Sequence, residues 1–160
     1  MIRLFLVIFV LTFVAFECNK ESNPPATKFA DEDSTMNFAM TQARLSISVF
    51  THALSNPQPT QRHFSIKAMF FESGQVEHIW LDSPFLPFPN VFAGSVGNDP
   101  VYVHHIEYGD TVAVNLSRIS DWMFVDHDTL CGGFTIRVMR EHLSADKKEE
   151  FDKALDFHIK

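Results

Sequence analysis

The stretch from Gly109 to His142, GDTVAVNLSRISDWMFVDHDTLCGGFTIRVMREH, constrains the fold more than any other, because turn, strand and breaker signals follow one another there without a gap. Gly109 and Asp110 are turn residues, and Thr111 to Asn115 then alternates with Val112 and Val114 on one face, the pattern of a half-buried strand. Trp122 to Val125 is apolar throughout. Asp126, His127 and Asp128 supply a turn that sends Thr129 to Cys131 back beside it. Gly132 and Gly133 interrupt the pattern. Beyond them Phe134, Ile136 and Val138 alternate as a strand would, while Ile136, Met139 and Leu143 fit a helical face. The helix formers from Arg137 to Leu143, with Arg140 and His142 in the last turn, favour the helix. These are signals of a scaffold, not of catalysis.

Upstream, Ser34 is a candidate N-cap preceded by Asp31, Glu32 and Asp33. Met36, Met40, Ala43, Ile47, Phe50 and Leu54 then recur at helical spacing until Asn56, Pro57 and Pro59 end the pattern. A methionine-bearing stripe of this kind is read as the face that packs on a sheet. Phe64, Ile66, Ala68 and Phe70 alternate in a long strand, and Ser73-Gly74 turns it into Val76 to Leu81, predicting a hairpin. In that second strand Val76, His78 and Trp80 share one face, and Glu77, Ile79 and Leu81 the other. Three prolines among phenylalanines make Ser83 to Asn90 neither helix nor central strand. Phe92 to Asn98 reads as loop or short hairpin, and Val101 to Ile106 resumes strand character. Ser144 caps a last helix, Ala145 to about Phe157, with Phe151, Ala154 and Leu155 inward. The fold class is therefore α+β: a single domain in which an antiparallel sheet of about five to six strands is packed by an N-terminal helix and C-terminal helices.

The N-terminus reads as an export signal. Arg3 precedes an apolar run from Leu4 to Phe16, shorter than the roughly 20 residues a membrane-spanning helix needs and within the range of a signal-peptide core. Cys18 stands where a lipoprotein signal is cut, although Glu17 occupies a position where a small residue is expected. Asn19 to Pro25 forms a polar tether. The expected organisation is a signal peptide at 1–17, a tether at 18–32 and an α+β domain at 33–160, with Cys18 acylated. The chain then faces the periplasm or cell surface, or is secreted if not lipidated. With lipid on Cys18, Cys131 has no partner for a disulfide, so the domain depends on its hydrophobic core. A net charge of −7 without a basic run argues against nucleic acid and against electrostatic attraction to anionic lipid, leaving the acyl chain as the expected membrane contact.

Ser120-Asp-Trp-Met-Phe-Val125, followed by Leu130-Cys-Gly-Gly-Phe-Thr-Ile-Arg-Val-Met-Arg140, resembles the YegJ-like family of uncharacterised bacterial domains. That family has a similar Gly-Asp turn, an Ile-Ser-Asp-Trp strand entry, a Gly-Gly-Phe-Thr-Ile-Arg segment and an upstream Val-Glu-His-Ile-Trp-Leu strand, here Val76 to Leu81. The resemblance covers residues 33–157. It implies no activity, substrate or catalytic residue, but it singles out Trp80, Asp121, Trp122, Gly132, Gly133 and Arg137 as a structural motif.

On their own chemistry the candidate sites are weak. His104, His105, Asp126, His127 and Asp128 are the best local set for a metal, yet adjacent histidines on a strand face opposite ways and a DHD turn follows from turn propensity, so no metal and no cofactor are expected. Cys131 lacks a base tied to it by any signature. Gly132 and Gly133 ahead of a helix could cradle an anion with Arg137, but close backbone packing explains them better; Asp121 and Arg137 could pair structurally. Two functions remain. One is a non-catalytic module binding a protein or envelope component, with Phe85 and Phe88 as candidate contact surface; Phe85 is expected to fold back as a lid and Phe88 to be partly exposed. The other is a hydrolase of small envelope substrates using carboxylates such as Glu77, Asp82 or Asp121.

Overall fold

The computed structural model describes residues 34–160. The expected signal at 1–17, the acylation site Cys18, the tether at 18–32 and the acidic residues Asp31 to Asp33 lie outside the described residues. The chain runs through α1 (Ser34–Leu45), α2 (Ile47–Ser55), β1 (Gln61–Glu72), β2 (Gln75–Phe88), β3 (Val91–Val96), β4 (Thr111–Asn115), a 3-10 turn (Leu116–Arg118), β5 (Ile119–Asp126), β6 (Thr129–Gly132), α3 (Phe134–Glu141) and α4 (Ala145–Lys153). The strands form one antiparallel sheet in the order β4-β3-β2-β1-β5-β6. This is the α+β architecture expected, and the segment after Gly133 is helical.

Two tight turns set the register. Ser73 and Gly74 have φ of 49° and 78°, and His127 and Asp128 have 44° and 58°. Positive φ at both central residues gives the hairpin turn whose twist matches that of its strands. The first joins β1 to β2 with Glu72 opposite Gln75, and the second joins β5 to β6 with Asp126 opposite Thr129.

The sheet is curled. From Asn115 on edge strand β4 to Ile119 on β5 the chain takes four residue steps, a reach of at most about 14 Å. A flat sheet would separate those strands by about 19 Å across β3, β2 and β1. Phe50 of α2 sits at the focus of the curl. Its ring lies 5.9 Å from Phe64 on β1, 6.2 Å from Phe92 on β3 and 5.7 Å from Trp122 on β5, centroid to centroid. Around it Ile66, Ile79, Leu81, Val96 and Ile119 are buried on the same face.

Several expectations need correction. The single N-terminal helix is two, interrupted at Ser46. Trp122 Nε1 donates to the Ala43 carbonyl at 2.9 Å, and Ser46 Oγ lies 3.3 Å from the same oxygen, which a continuous helix would offer to Ile47 N. Residues 83–90, expected to be neither helix nor central strand, are no helix, and β2 continues through them to Phe88 as a strand paired on one side only. Pairing with β1 ends at Asp82↔Ser65, and beyond it β2 meets β3 only at Phe85↔Ala93 and Phe88↔Val91, with register shifts between. Pro84 and Pro87 fall in those shifts, where no ladder bond is required of them. Of Phe92 to Asn98, read as loop or short hairpin, the part to Val96 belongs to strand β3. Val101 to Ile106 forms no strand; Val103 and Ile106 instead plug the core from a loop. The last helix ends at Lys153, and Ala154 is exposed. His158 then pairs with the edge of β6 through a parallel bridge to Thr129.

Candidate functional site

The face of the sheet turned away from Phe50 carries a groove of about 420 Å³, within the size range of small-ligand sites. Ser65, Trp80, Asp82 and Met123 form its floor, on β1, β2 and β5. Alternation puts them there: Ile66, Ile79 and Leu81 point into the core, so their neighbours point out. Ile136 and Met139 of α3, with Phe151 and Leu155 at α4, wall one side. Most of this lining is apolar. Among its polar members Ser65 Oγ donates to Asp82 at 2.7 Å, and His63 Nε2 lies 3.0 Å from Asp156.

Beside the floor lies a dense polar network. Asp121 is fully buried, and its carboxylate accepts from Trp122 N (2.8 Å), Phe134 N (3.1 Å), Thr135 N (2.7 Å) and Thr135 Oγ1 (2.6 Å). Three of these donors belong to the first turn of α3, whose amides otherwise lack partners, so Asp121 is the cap of that helix from another strand. Lys67, opposite Asp121 in the β1–β5 register, places Nζ 3.4 Å from Thr135 Oγ1 and 5.3 Å from the centre of the Trp80 ring. Burial pushes the Asp121 carboxyl up, against the pull of Thr135, Trp122 and Lys67. Burial likewise lowers Lys67, with Asp121 opposing. Both shifts express the cost of removing a charge pair from water. His78 Nδ1 lies 2.9 Å from Ser120 Oγ, which is also 3.2 Å from the Lys67 carbonyl. Ser120 has no exposed surface, so this Ser-His contact braces a bulge in β5 and does not face the groove.

The structure joins some of the residues singled out in the sequence and separates others. Trp80 and Asp121 flank Lys67. Trp122 points the opposite way, into the core. The proposed Asp121–Arg137 pair does not form: Arg137 donates instead to the carbonyls of Gly132, Leu130 and Lys160, pinning the tail and the turn. Nor do Gly132 and Gly133 cradle an anion, because Asp121 already holds the amides of the helix start. A Cβ on Gly132 would lie 2.3 Å from the Trp122 carbonyl and 2.4 Å from its ring, and Gly133 would meet Leu130 at 2.6 Å. Close packing is what these glycines allow.

Glu77 lies on the core face of the sheet and accepts from three successive amides, Val101, Tyr102 and Val103, so it anchors the 97–110 loop. Asp82 is on the groove face, roughly 12 Å from Asp121 by strand geometry. The three carboxylates are therefore not brought together. The histidine-bearing candidates also separate. His104 and His105 meet Glu72 at one end of β1, and Asp126 meets Thr60 at the other, about 35 Å away along the strand. Among the described residues no three potential ligands converge on a metal. Burial pushes the Cys131 thiol up, away from a reactive thiolate. Phe85 is not a lid: it is 52% exposed, with Leu86 at 38% and Phe88 at 68%. Sequence reasoning missed Lys67 and Thr135. A lysine alternating outward on a strand looks solvated, and only the arrival of α3 reveals its cover.

Sheet, helices and groove define an α+β domain with an apolar cleft on the face opposite its main core. The chain belongs to the family described as an uncharacterized protein conserved in bacteria (DUF2314), which matches residues 33–159. It is 29% identical over 152 residues to the uncharacterized protein YegJ of Escherichia coli, covering 94% of each chain. It is also 35% identical over 98 residues to a putative ankyrin repeat protein of Neisseria meningitidis serogroup B, covering 58% of this chain and 38% of that protein. No solved structure matches.

Proposed function

We propose that this chain is an exported, lipid-anchored binding module of the bacterial envelope, without catalysis of its own, whose groove takes an apolar segment of a protein or envelope component. The observation that carries the reading is the lining of the groove: Trp80, Met123, Ile136, Met139 and Phe151 offer aromatic and flexible thioether surface. Such surfaces adapt to varied apolar partners. Glu77 and Asp121 spend their oxygens on backbone amides, which fits a structural role better than the hydrolase alternative. The match to part of a longer Neisseria protein is in keeping with a module used in more than one setting.

Two measurements test the proposal. A photo-crosslinking side chain at Met139 should capture a defined partner in cells, whereas the same group at Phe71, outside the groove, should not. Equal capture from both positions, or none from Met139, refutes the groove as the site. Fatty-acid labelling should mark the wild type and not Cys18→Ala; label retained in that variant refutes the anchor.

A further inference from the structure

Among the described residues, Asp82 is the one charged group lining the groove that has no counter-charge. The other two titratable lining residues, His63 and Asp156, face each other at 3.0 Å, and Arg62 joins Asp156 at 2.9 Å. Asp82 Oδ1 accepts from Ser65 Oγ, a neutral donor, and no cation of the described residues stands within ion-pair distance of either oxygen. The arginine and lysine of β1 are engaged elsewhere, Arg62 with Asp128 and Asp156, and Lys67 opposite Asp121 in the register. Asp82 is exposed, whereas Glu77 and Asp121 are buried with their oxygens taken up by backbone amides. A side chain at Gly97 would overlap Asp82 Oδ2, so glycine leaves the carboxylate its room against the loop. Asp82, Ser65 and Met123 stand in one row across the sheet, which puts Asp82 two strands, about 10 Å, from Met123.

We infer that the groove takes a polypeptide segment in which one lysine or arginine stands among apolar residues, its cationic head on Asp82 and its apolar neighbours over Met123, Ile136, Met139 and Phe151. The inference rests on the reading of the groove as a binding site and names what fills it. Desolvation is the reason. An occupant that covers Trp80 and Met123 also strips water from Asp82, which is two residues from the first and in the row of the second. A carboxylate covered without a partner is costly, and Ser65 supplies only one neutral hydrogen bond. A purely apolar segment is therefore disfavoured, and an acidic one is repelled, the more so by a chain of net charge −7. Lysine and arginine meet both demands of the site, because the head pairs with the carboxylate while the aliphatic stem lies along the apolar floor.

The test pans a phage-displayed library of random heptapeptides against the full chain and against its Asp82→Asn and Ile136→Asp variants, each checked for folding by circular dichroism. The wild type should enrich sequences with one lysine or arginine flanked by apolar residues. Asp82→Asn should keep the apolar enrichment and lose the basic residue, and Ile136→Asp should enrich neither. A selected peptide, titrated by calorimetry, should bind Asp82→Asn about fivefold more weakly than the wild type. Replacing its basic residue by norleucine should cost the same, with no further loss when both changes are combined. Affinity for the wild type should fall as salt rises, and affinity for Asp82→Asn should not. No enrichment from the wild type, or equal binding to Ile136→Asp, refutes the groove and both readings of it. Apolar enrichment without a basic residue, or losses that add in the combined change, leaves the groove standing and overturns the cation. Displacement of the selected peptide by phosphatidylethanolamine vesicles makes an aminolipid the occupant and overturns the polypeptide.

Discussion

At the scale of single residues, Asp121 determines most. It is the residue on which β5, the bend at Gly132-Gly133 and the start of α3 converge, and its four donors leave no lone pair for substrate. We predict that Asp121→Ala destabilises the domain by about 3 to 5 kcal/mol in urea unfolding, because Lys67 is left without its counter-charge and two helix amides without an acceptor. Asp121→Asn should cost less, about 1 to 3 kcal/mol, since one carbonyl oxygen still accepts while its amide opposes a backbone N–H. A loss under about 0.5 kcal/mol for the alanine variant would show the network to be dispensable. Asp121 and both glycines were legible in the sequence as a motif. Their partners were not, because which backbone amides lack an acceptor depends on where a helix begins in space.

Among the elements, β2 shows how far local rules reach. Its first half alternates cleanly and was readable; its second half violates the proline rule only if a partner strand is assumed on both sides. With β1 absent beyond Asp82 the rule is obeyed, but that is tertiary information. Likewise Val101 to Ile106 has strand-like composition, yet Glu77 takes the three amides that a ladder would use. We predict that Phe85→Ser and Phe88→Ser each change stability by no more than about 0.5 to 1 kcal/mol, in contrast to Phe50→Ala at about 3 to 5 kcal/mol. Urea midpoints of the three variants decide this, and a large loss at Phe85 would restore it to the core.

For the whole molecule, the fold class was legible because hydrophobic period, helix propensity and turn residues together separate most helices from strands here. The curl and the groove were not, since both arise from the short passage between β4 and β5 and from α3 turning back over the sheet. Charge ties the periphery together. Asp152 is held low by hydrogen bonds from Arg140 and joins α4 to α3; Asp156 is held low by His63 and joins the tail to β1. A carboxyl whose folded pKa lies below its ordinary 3.8 contributes stability above that pH and loses it as pH falls through the folded value. Melting temperature should therefore drop below about pH 4, and Asp152→Asn, less stable at neutral pH, should show a shallower drop. Parallel pH profiles for the two proteins would contradict this. The strand order carries a kinetic consequence too. Four of the five pairings join strands consecutive in the chain, and only β1–β5, with Ile66 opposite Trp122, closes a long loop. Folding is then the zipping of two locally formed halves along one joint, so that joint sets the speed: Ile66→Val should slow refolding in stopped-flow measurements, whereas loosening the His127-Asp128 turn should chiefly hasten unfolding.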